Sequence, residues 1–304
     1  MTVTLSAETQ PEVLPYRTFD TEVVALRRLS PSFLRVTVTG DELRDFADNG
    51  LDQRIKVILP LAGAGHGGFE HFPRETDWFL PWRALPDERR NPVRTYTVRS
   101  ARPALREVDI DLVLHGDAGP ASRWANRAVI GDRILLVGPD GRFDGPHGGL
   151  VWNPPAGAEV LLVGDETAVP AIAAILERLA PGTTGRALME VPAARDALDD
   201  VSAPPGVELL WFFRGFGRTV GDLLVPALRE LFPAAGRAAD VADLPEGEVL
   251  WDVEELTGPS TGYAWLAGEA GMVVALRRHL LRDAGWPKGS VVSMGYWKYG
   301  VAGA

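Results

Sequence analysis

The chain has 304 residues, of which 46% are hydrophobic and 24% are charged, and its formal net charge at pH 7 is -10. This length favours two compact domains, and the acidic balance argues against nucleic acid as a partner and requires a local basic pocket for any anionic substrate. The chain contains no cysteine, which excludes disulfides, thiolate-bound iron–sulfur clusters and cysteine nucleophiles, so redox chemistry would need a dissociable cofactor.

The first residues, MTVTLSAETQPEVLP, do not combine a basic start with an apolar stretch. No apolar run in the chain reaches the length of a membrane span. We therefore predict a cytoplasmic protein without a membrane span, and export without a cleaved signal is the less economical alternative.

The first half of the chain carries short alternating segments. FLRVTVTG and VDIDLVLHG place apolar side chains on one face and polar side chains on the other, as half-buried strands do. Further short strands are predicted at RIKVILP, RTYTVRS and RILLVGP. Many short strands separated by turns predict an antiparallel β-barrel over residues 15–150, with a long surface loop at about 61–92.

The pattern changes after VWNPPAGAEV. A continuous apolar strand, EVLLVG, is followed by apolar residues at helical spacing, from Ile172 to Leu179. Strands are then predicted at GRALMEV, VELLWFF, YAWLAG and SVVSMGYWKYG, and helices at TVGDLLVPALREL and GMVVALRRHLLRDAG. Alternating strands and helices predict a doubly wound parallel sheet, which we assign to residues 157–304.

The loop Gly164–Pro170 follows the first strand of this sheet directly. Ligands of parallel sheets bind beyond the carboxyl ends of the strands, and the small residues here would let a nucleotide approach the backbone. The loop lacks a GxGxxG pattern. From spacing alone, an ordinary capped turn between strand and helix is the favoured interpretation.

The strand RTYT carries a cation, a hydroxyl and an aromatic ring, with Arg94 and Tyr96 on the same face. Such a strand suits a flat anionic dinucleotide: Arg94 would pair with a pyrophosphate, Tyr96 would lie against an isoalloxazine, and Thr97 would hydrogen-bond the reactive edge of the ring. The alternative is a solvated arginine beside a core tyrosine.

The segment HGDAGPASRW leads from a strand into a predicted helix. Residues 119–123 would offer backbone amides, a hydroxyl and a guanidinium to phosphates. Alternatively, Ser122 caps the helix and His115 is a histidine with a structural hydrogen bond at the end of a strand.

The order of these segments resembles the ferredoxin reductase superfamily, from about Arg17 to Gly300. Within that superfamily, five motifs are similar to those of siderophore-interacting proteins: RTYTVR, LVLHGDAGPASRWA, LLVGDETAVPAI, AWLAGEA and WPKGSVVSMGYWKYG. DETAxPAI and YWKxG are the most specific of these, and Val169 stands where leucine is expected.

The resemblance implies a flavoprotein that uses NAD(P)H. The implied FAD contacts are Arg94, Tyr96, Thr97, His115, Ala121, Ser122 and Trp124, with Tyr96 and Thr97 in the catalytic role. The implied NAD(P)H contacts are Gly164, Asp165, Glu166, Thr167, Ala168, Gly268 and Glu269. No residue is assigned to a metal, since the protein need not ligate the iron.

The implied substrate is a ferric siderophore of catecholate or hydroxamate type. Nicotinamide gives two electrons as hydride whereas Fe(III) accepts one, so a flavin is the natural converter between them. Cations at the open face of the flavin would attract an anionic chelate, and we predict Lys56 and Lys298 in this role, with Arg99 as a third.

The choice of coenzyme stays open, because Glu190 would favour NADH while Arg214 and Arg218 would favour NADPH. A ferredoxin is an alternative electron donor. Two other functions remain: a general flavin or ferredoxin-type reductase with a protein acceptor, and a carrier that binds the siderophore without reducing it.

Overall fold

The computed structural model describes residues 13–61, 63, 67–75, 77–116, 119–235, 251–252 and 260–301, with the backbone alone for 251–252. Within these residues, seven strands form the first sheet: β1 (Tyr16–Arg28), β2 (Phe33–Thr39), β3 (Arg54–Ile58), β4 (Val93–Thr97), β5 (Ser100–Arg102), β6 (Glu107–Val113) and β7 (Arg133–Pro139). Two short helices accompany this sheet, α1 (Phe79–Arg83) and α2 (Pro120–Ala125).

The first sheet is antiparallel and has the order β4-β3-β7-β1-β2-β6-β5. It curls into a half-barrel around a core that includes Phe19, Val36, Ile110 and Leu136. The predicted alternation along β2 and β6 is confirmed, since Leu34, Val36 and Val38 and, on β6, Val108, Ile110 and Leu112 face this core. The outermost residues Phe33 and Val113 pack instead in the core next to the parallel sheet. Strand β1 lies at the centre of the sheet and was not predicted.

The segment 61–92 was predicted as a surface loop, and its described part contains α1. Phe69 and Phe72 are buried and pack on Ile58 and Val93 of the half-barrel. These aromatic rings attach the segment to the outer face of β3 and β4. Trp82 of α1 packs against the same cluster, and the other residues of α1 are exposed.

Among the described residues, six further strands form the second sheet: β8 (Glu159–Asp165), β9 (Gly185–Val191), β10 (Val207–Phe213), β11 (Trp251–Asp252), β12 (Gly262–Glu269) and β13 (Val291–Trp297). The helices of this half are α3 (Val169–Leu176), α4 (Leu224–Leu231) and α5 (Ala270–Arg278), and α5 continues into a turn of π-helix over His279–Asp283.

The second sheet has the order β10-β9-β8-β12-β13-β11 and is parallel except for β11. Helix α3 packs on one face together with residues of the half-barrel, and α4 and α5 pack on the other face. The predicted fold class, an antiparallel barrel followed by a doubly wound parallel sheet, is therefore confirmed. The domain limits 15–150 and 157–304 stay a prediction.

A buried carboxylate joins the two sheets. Asp52, which precedes β3, is fully buried and accepts hydrogen bonds from the backbone amides of Val151 and Trp152 at 3.1 Å. It also accepts one from Nε1 of Trp265 on β12 at 3.2 Å. The half-barrel, the connecting segment and the parallel sheet thus meet at one side chain.

We expect Asp52→Ala to lower the free energy of unfolding by about 3 kcal/mol or more, because three buried N–H donors lose their acceptor. The matched control is Asp48→Ala, which removes an exposed ion pair with Arg178 at 2.7 Å between the same two halves. That variant should lose less than about 1 kcal/mol. Urea unfolding of both variants measures the difference, and equal losses would contradict the role of Asp52.

Candidate functional site

A cavity of about 550 Å³ lies between the half-barrel and the carboxyl edge of the parallel sheet. Strands β3 and β4, the end of β6 and the start of α2 supply one part of its wall. The loop between β8 and α3 and the end of β13 supply the other part. The cavity therefore opens where parallel sheets bind ligands.

The wall formed by β3 and β4 is basic and aromatic. Lys56 lies opposite Thr95 in the antiparallel register, and its Nζ donates a hydrogen bond to the Thr95 hydroxyl at 2.7 Å. Burial and the nearby Arg54 lower the pKa of Lys56. Arg94 is half-buried and lines the cavity with Tyr96, whose pKa burial raises. The predicted shared face of Arg94 and Tyr96 is thus present.

At the end of β6, Ser122 of α2 closes the turn. Its hydroxyl accepts a hydrogen bond from the amide of His115 at 3.3 Å and donates one to the carbonyl of Val113 at 3.4 Å. Both Ser122 and His115 also line the cavity, as does Ala121. Burial is the main cause that lowers the pKa of His115. These side chains combine a structural contact with access to the cavity.

Trp124 does not line this cavity. It packs against the core of the half-barrel and lines a separate cavity of about 350 Å³ next to Leu59 and Pro60. The turn of α2 explains the difference, because residues 121 and 122 face the larger cavity while 124 faces the other side. The FAD contact at Trp124 stays a prediction.

The predicted nucleotide loop follows β8, and most of it is buried. Gly164, Asp165, Glu166 and Ala168 are buried, while Thr167 lines the cavity. Asp165 accepts hydrogen bonds from the amide of Thr167 and, on its other oxygen, from Nε1 of Trp297 at 2.9 Å. Burial and the neighbouring Glu166 raise the pKa of Asp165 to about 6. A nucleotide would therefore meet Thr167 and the loop backbone before these carboxylates.

Gly268 and Glu269 lie at the end of β12, beside this loop. The amide of Glu269 donates to Asp165 at 2.7 Å. The Glu269 carboxylate caps α5 by accepting from the amide of Met272 at 2.9 Å, and it accepts from the amide of Tyr299 at 3.2 Å. Glu269 thus ties the last described residues to the start of α5.

Two of the three predicted substrate cations stand apart from the cavity wall. Arg99 is buried and pairs with Glu177 at 2.5 Å and with Asp111 at 3.7 Å. Its charge is neutralised by these two carboxylates, and the predicted contact of Arg99 with the substrate stays a prediction. Lys298 is half-buried next to Trp297 but does not itself line the cavity, whereas Lys56 does.

Several residues that the sequence analysis did not select also line the cavity, among them Arg54, Tyr296, Trp297 and Asp111, whose carboxylate pairs with Arg35 at 2.7 Å. Arg54 lies two residues before Lys56 on β3, so the period of a strand could have identified it. Tyr296 sits beside Trp297 at the end of β13, and burial raises its pKa. Nothing in the sequence pattern distinguished it from a core residue.

Two of the three residues that gave conflicting predictions about the coenzyme, Glu190 and Arg214, form an ion-pair cluster with Glu166. Arg214 donates to Glu190 at 2.9 Å and to Glu166 at 2.8 Å. Glu190 is fully buried and accepts hydrogen bonds from the backbone amides of 221, 223 and 224, at the start of α4. Helix α4 begins at Leu224, directly after these amides, whereas the predicted helical segment TVGDLLVPALREL begins at Thr219. Arg218 remains exposed beyond β10.

Sequence relatives cover nearly the whole chain. A protein of Mycobacterium tuberculosis that is itself uncharacterised is 36% identical over 287 residues, and ferric vibriobactin reductase of Vibrio cholerae is 30% identical over 280 residues. Each alignment covers 92% of this chain and 89% of the relative. A model of the siderophore-interacting FAD-binding domain matches residues 22–143, and a model of the siderophore-interacting protein matches 157–300.

This chain belongs to the siderophore-interacting protein family. The resemblance seen in the motifs is thereby confirmed. The crystal structure of a siderophore utilization protein from T. fusca superimposes with a TM-score of 0.71 at 29% identity, and the match covers 96% of this chain and 97% of that one. The half-barrel followed by a parallel sheet is the ferredoxin reductase-like fold. No helix in the described part of the chain has the length and apolarity to cross a bilayer.

The cavity fits the FAD of a siderophore-interacting protein by the chemistry of its wall. Tyr96 and Trp297 offer aromatic surface for a flat ring, and Arg94 offers a cation for a pyrophosphate. The hydroxyls of Thr97 and Ser122 add hydrogen-bonding groups. These side chains come from both halves of the molecule, so the intact fold is needed to assemble them.

We expect Glu190→Ala to destabilise the protein by about 3–5 kcal/mol, because Arg214 and the start of α4 lose a buried partner. Glu208→Ala is the matched control, since Glu208 lies on the neighbouring strand in an exposed pair with Arg186 at 3.2 Å. Denaturant unfolding of the two variants tests this expectation. If Glu190→Ala instead kept wild-type stability and changed the preference for NADH over NADPH, Glu190 would be a contact of the coenzyme ribose.

Proposed function

We propose that this protein is a FAD-dependent reductase that transfers electrons from NAD(P)H to a ferric siderophore. One observation carries the proposal: three cationic side chains, Arg54, Lys56 and Arg94, line the same cavity as Tyr96 and Trp297, in a chain of net charge -10. A basic pocket in an acidic protein attracts anionic ligands to one place. FAD and a ferric catecholate are both anionic.

Residues of the half-barrel would hold FAD. Arg94 would pair with the pyrophosphate, while Tyr96 would lie along the isoalloxazine and Thr97 would hydrogen-bond the edge of the ring. His115 and Ser122 at the end of β6 would bind the rest of the dinucleotide. When bound, FAD supplies the conversion of a hydride into the single electrons that Fe(III) accepts.

The siderophore would approach the side of the cavity where Lys56 and Arg54 lie. The Nζ of Lys56 donates a hydrogen bond to the Thr95 hydroxyl at 2.7 Å, which holds the ammonium in one place. A fixed cation attracts an anionic chelate without the entropy cost of ordering a free lysine. Hard oxygen donors hold Fe(II) far less tightly than Fe(III), so reduction would release the iron.

We expect Lys56→Ala to lower kcat/KM for an anionic ferric tris-catecholate about fivefold, the equivalent of about 1 kcal/mol, and to affect a neutral ferric hydroxamate less. The matched control is Lys288→Ala, because Lys288 is exposed and precedes β13 at the opposite edge of the sheet. The measurement is anaerobic oxidation of the reduced protein by each chelate.

Three results with the wild-type protein would contradict the proposed function. Purified protein that neither contains nor binds flavin would exclude the reductase. Rapid electron transfer to a ferredoxin with slow reduction of both chelates would identify a protein acceptor instead. Chelate binding without NAD(P)H oxidation would identify a carrier.

The electron donor would lie along the carboxyl edge of the parallel sheet, across Thr167 and Pro170. Of the groups that bear on the coenzyme, Glu190 and Arg214 are buried in contact with each other. Arg218 is exposed beyond β10, and the ring of Phe216 beside it is fully exposed. The Nη1 of Arg218 donates to the Arg214 carbonyl at 3.2 Å, and an exposed guanidinium held in this way next to an unpacked aromatic ring suits the adenosine 2′-phosphate of NADPH.

We therefore expect Arg218→Ala to raise KM for NADPH about tenfold, through loss of a charge-assisted hydrogen bond, and to change KM for NADH less than about twofold. Arg229→Ala, which removes an exposed arginine on α4, is the control. Steady-state kinetics with both coenzymes provides the measurement. An equal change for NADH and NADPH would remove Arg218 as the discriminating residue.

A further inference from the structure

Four hydrogen bonds converge on the carboxylate of Asp165, which has no exposed surface. One oxygen accepts from the amide and from the hydroxyl of Thr167, at 2.8 Å and 2.5 Å. The other oxygen accepts from the amide of Glu269 at 2.7 Å and from Nε1 of Trp297 at 2.9 Å. Three of the four partners are N–H groups that can only donate, and the Thr167 hydroxyl can donate or accept, so the ionised carboxylate accepts from all four.

These partners belong to three separate elements. Thr167 is in the loop between β8 and α3, Glu269 ends β12, and Trp297 ends β13. Two of them, Thr167 and Trp297, line the cavity between the two sheets. One carboxylate therefore connects the loop to an aromatic side chain of the cavity wall.

The backbone around Asp165 is shaped to admit this carboxylate. Gly268 has φ +137°, and a Cβ at that position would lie 2.7 Å from the Asp165 carboxyl carbon. A side chain at position 268 would therefore push the carboxylate away from Glu269 and Trp297. A glycine is needed here because the chain passes so close to a buried charge.

Burial disfavours the ionised form of Asp165, and so does the negative charge of Glu166 in the same loop. The Glu269 carboxylate lies at the start of α5. His115, at the end of β6, is the titratable group across the cavity, where the Asp165 charge favours its protonation and Arg214 opposes it. Burial and Glu166 outweigh the favourable contacts, so the pKa of the carboxyl is raised. A carboxyl that is buried although burial disfavours its ionised form is a candidate for a functional role rather than a stabilising one.

We propose that Asp165 is a positioning residue that couples the loop between β8 and α3 to the orientation of Trp297. A ligand that draws Thr167 toward itself changes the hydrogen bonds on one carboxylate oxygen, and the other oxygen transmits that change to the indole. Trp297 also lies beside His115, with ring centroids 6.0 Å apart, so a change in the indole reaches both sides of the cavity. This inference rests on the proposed binding of FAD in the cavity and of NAD(P)H at the loop.

The test uses the flavin-loaded protein and four variants: Thr167→Val, Trp297→Phe, their double variant and Asp165→Asn. Thr167→Val and Trp297→Phe each remove one donor to Asp165 and leave Asp165 itself in place, so they serve even where Asp165→Asn folds poorly. FAD affinity is measured by titration of the stripped protein, and the second readout is the visible difference spectrum on adding NADP⁺.

We expect Thr167→Val and Trp297→Phe each to weaken FAD binding about threefold, and the double variant to weaken it by clearly less than the product of the two effects. Independent effects that multiply would overturn the coupling. With NADP⁺, the wild type should show a difference spectrum that Trp297→Phe and Asp165→Asn both lose while NADP⁺ still binds. A spectrum unchanged in both variants would also overturn it.

The pH dependence separates this coupling from a structural role. As pH falls through about 6, the pKa of Asp165, its carboxyl gains a proton that the Thr167 hydroxyl alone among its four partners can accept. The neutral carboxyl is a weaker acceptor for Trp297, so that bond should weaken and the flavin absorption should shift. The shift should be absent in Asp165→Asn and present in His115→Gln. The reverse pattern would assign the titration to His115 and overturn the proposal. An absence of any NADP⁺ effect in the wild type would count against the proposed donor alone, because the FAD titrations do not depend on it.

Discussion

The hydrogen bonds on the Asp52 carboxylate fix how the half-barrel lies against the parallel sheet. The ligand cavity exists only between these two parts, so its shape depends on that junction more than on either sheet alone. Asp52 meets two backbone amides of the connecting segment and an indole of β12, and these donors are buried with it. A buried charge with several fixed donors tolerates little movement, and the cavity wall inherits that rigidity.

Much of the fold was predictable because its elements carry strong periodic signals. Strand β2 alternates between core and surface, and β8 is a continuous apolar run buried on both faces. Strand β1 was not predicted because one of its buried residues, Thr21, is polar and lies between the buried Phe19 and Val23. A register irregularity after Val23 also breaks the alternation. Its central position comes from pairing with β2 and β7, which lie at very different distances along the chain.

The site was predictable where a motif places neighbouring residues on one strand, as at Arg94 and Tyr96. It was not predictable where charges meet across the fold. Arg99 and Glu177 are 78 residues apart, and no local pattern reveals that they pair. Glu190 looked like a ribose contact because it ends a parallel strand, but the fold brings Arg214 to it and turns it into a buried partner. In each case a long-range ion pair decided whether a charged residue remained accessible.

The cavity between the sheets also has a thermodynamic consequence. Since its wall is built from β3, β4 and β6 on one side and from the β8–α3 loop and β13 on the other, a ligand that touches both walls binds the docked arrangement alone. The free energy of binding then adds to the free energy that holds the two halves together. Ligand binding in the cavity and the docking of the two halves are therefore linked equilibria. When the ligand is scarce, the folded protein is less stable and also less active.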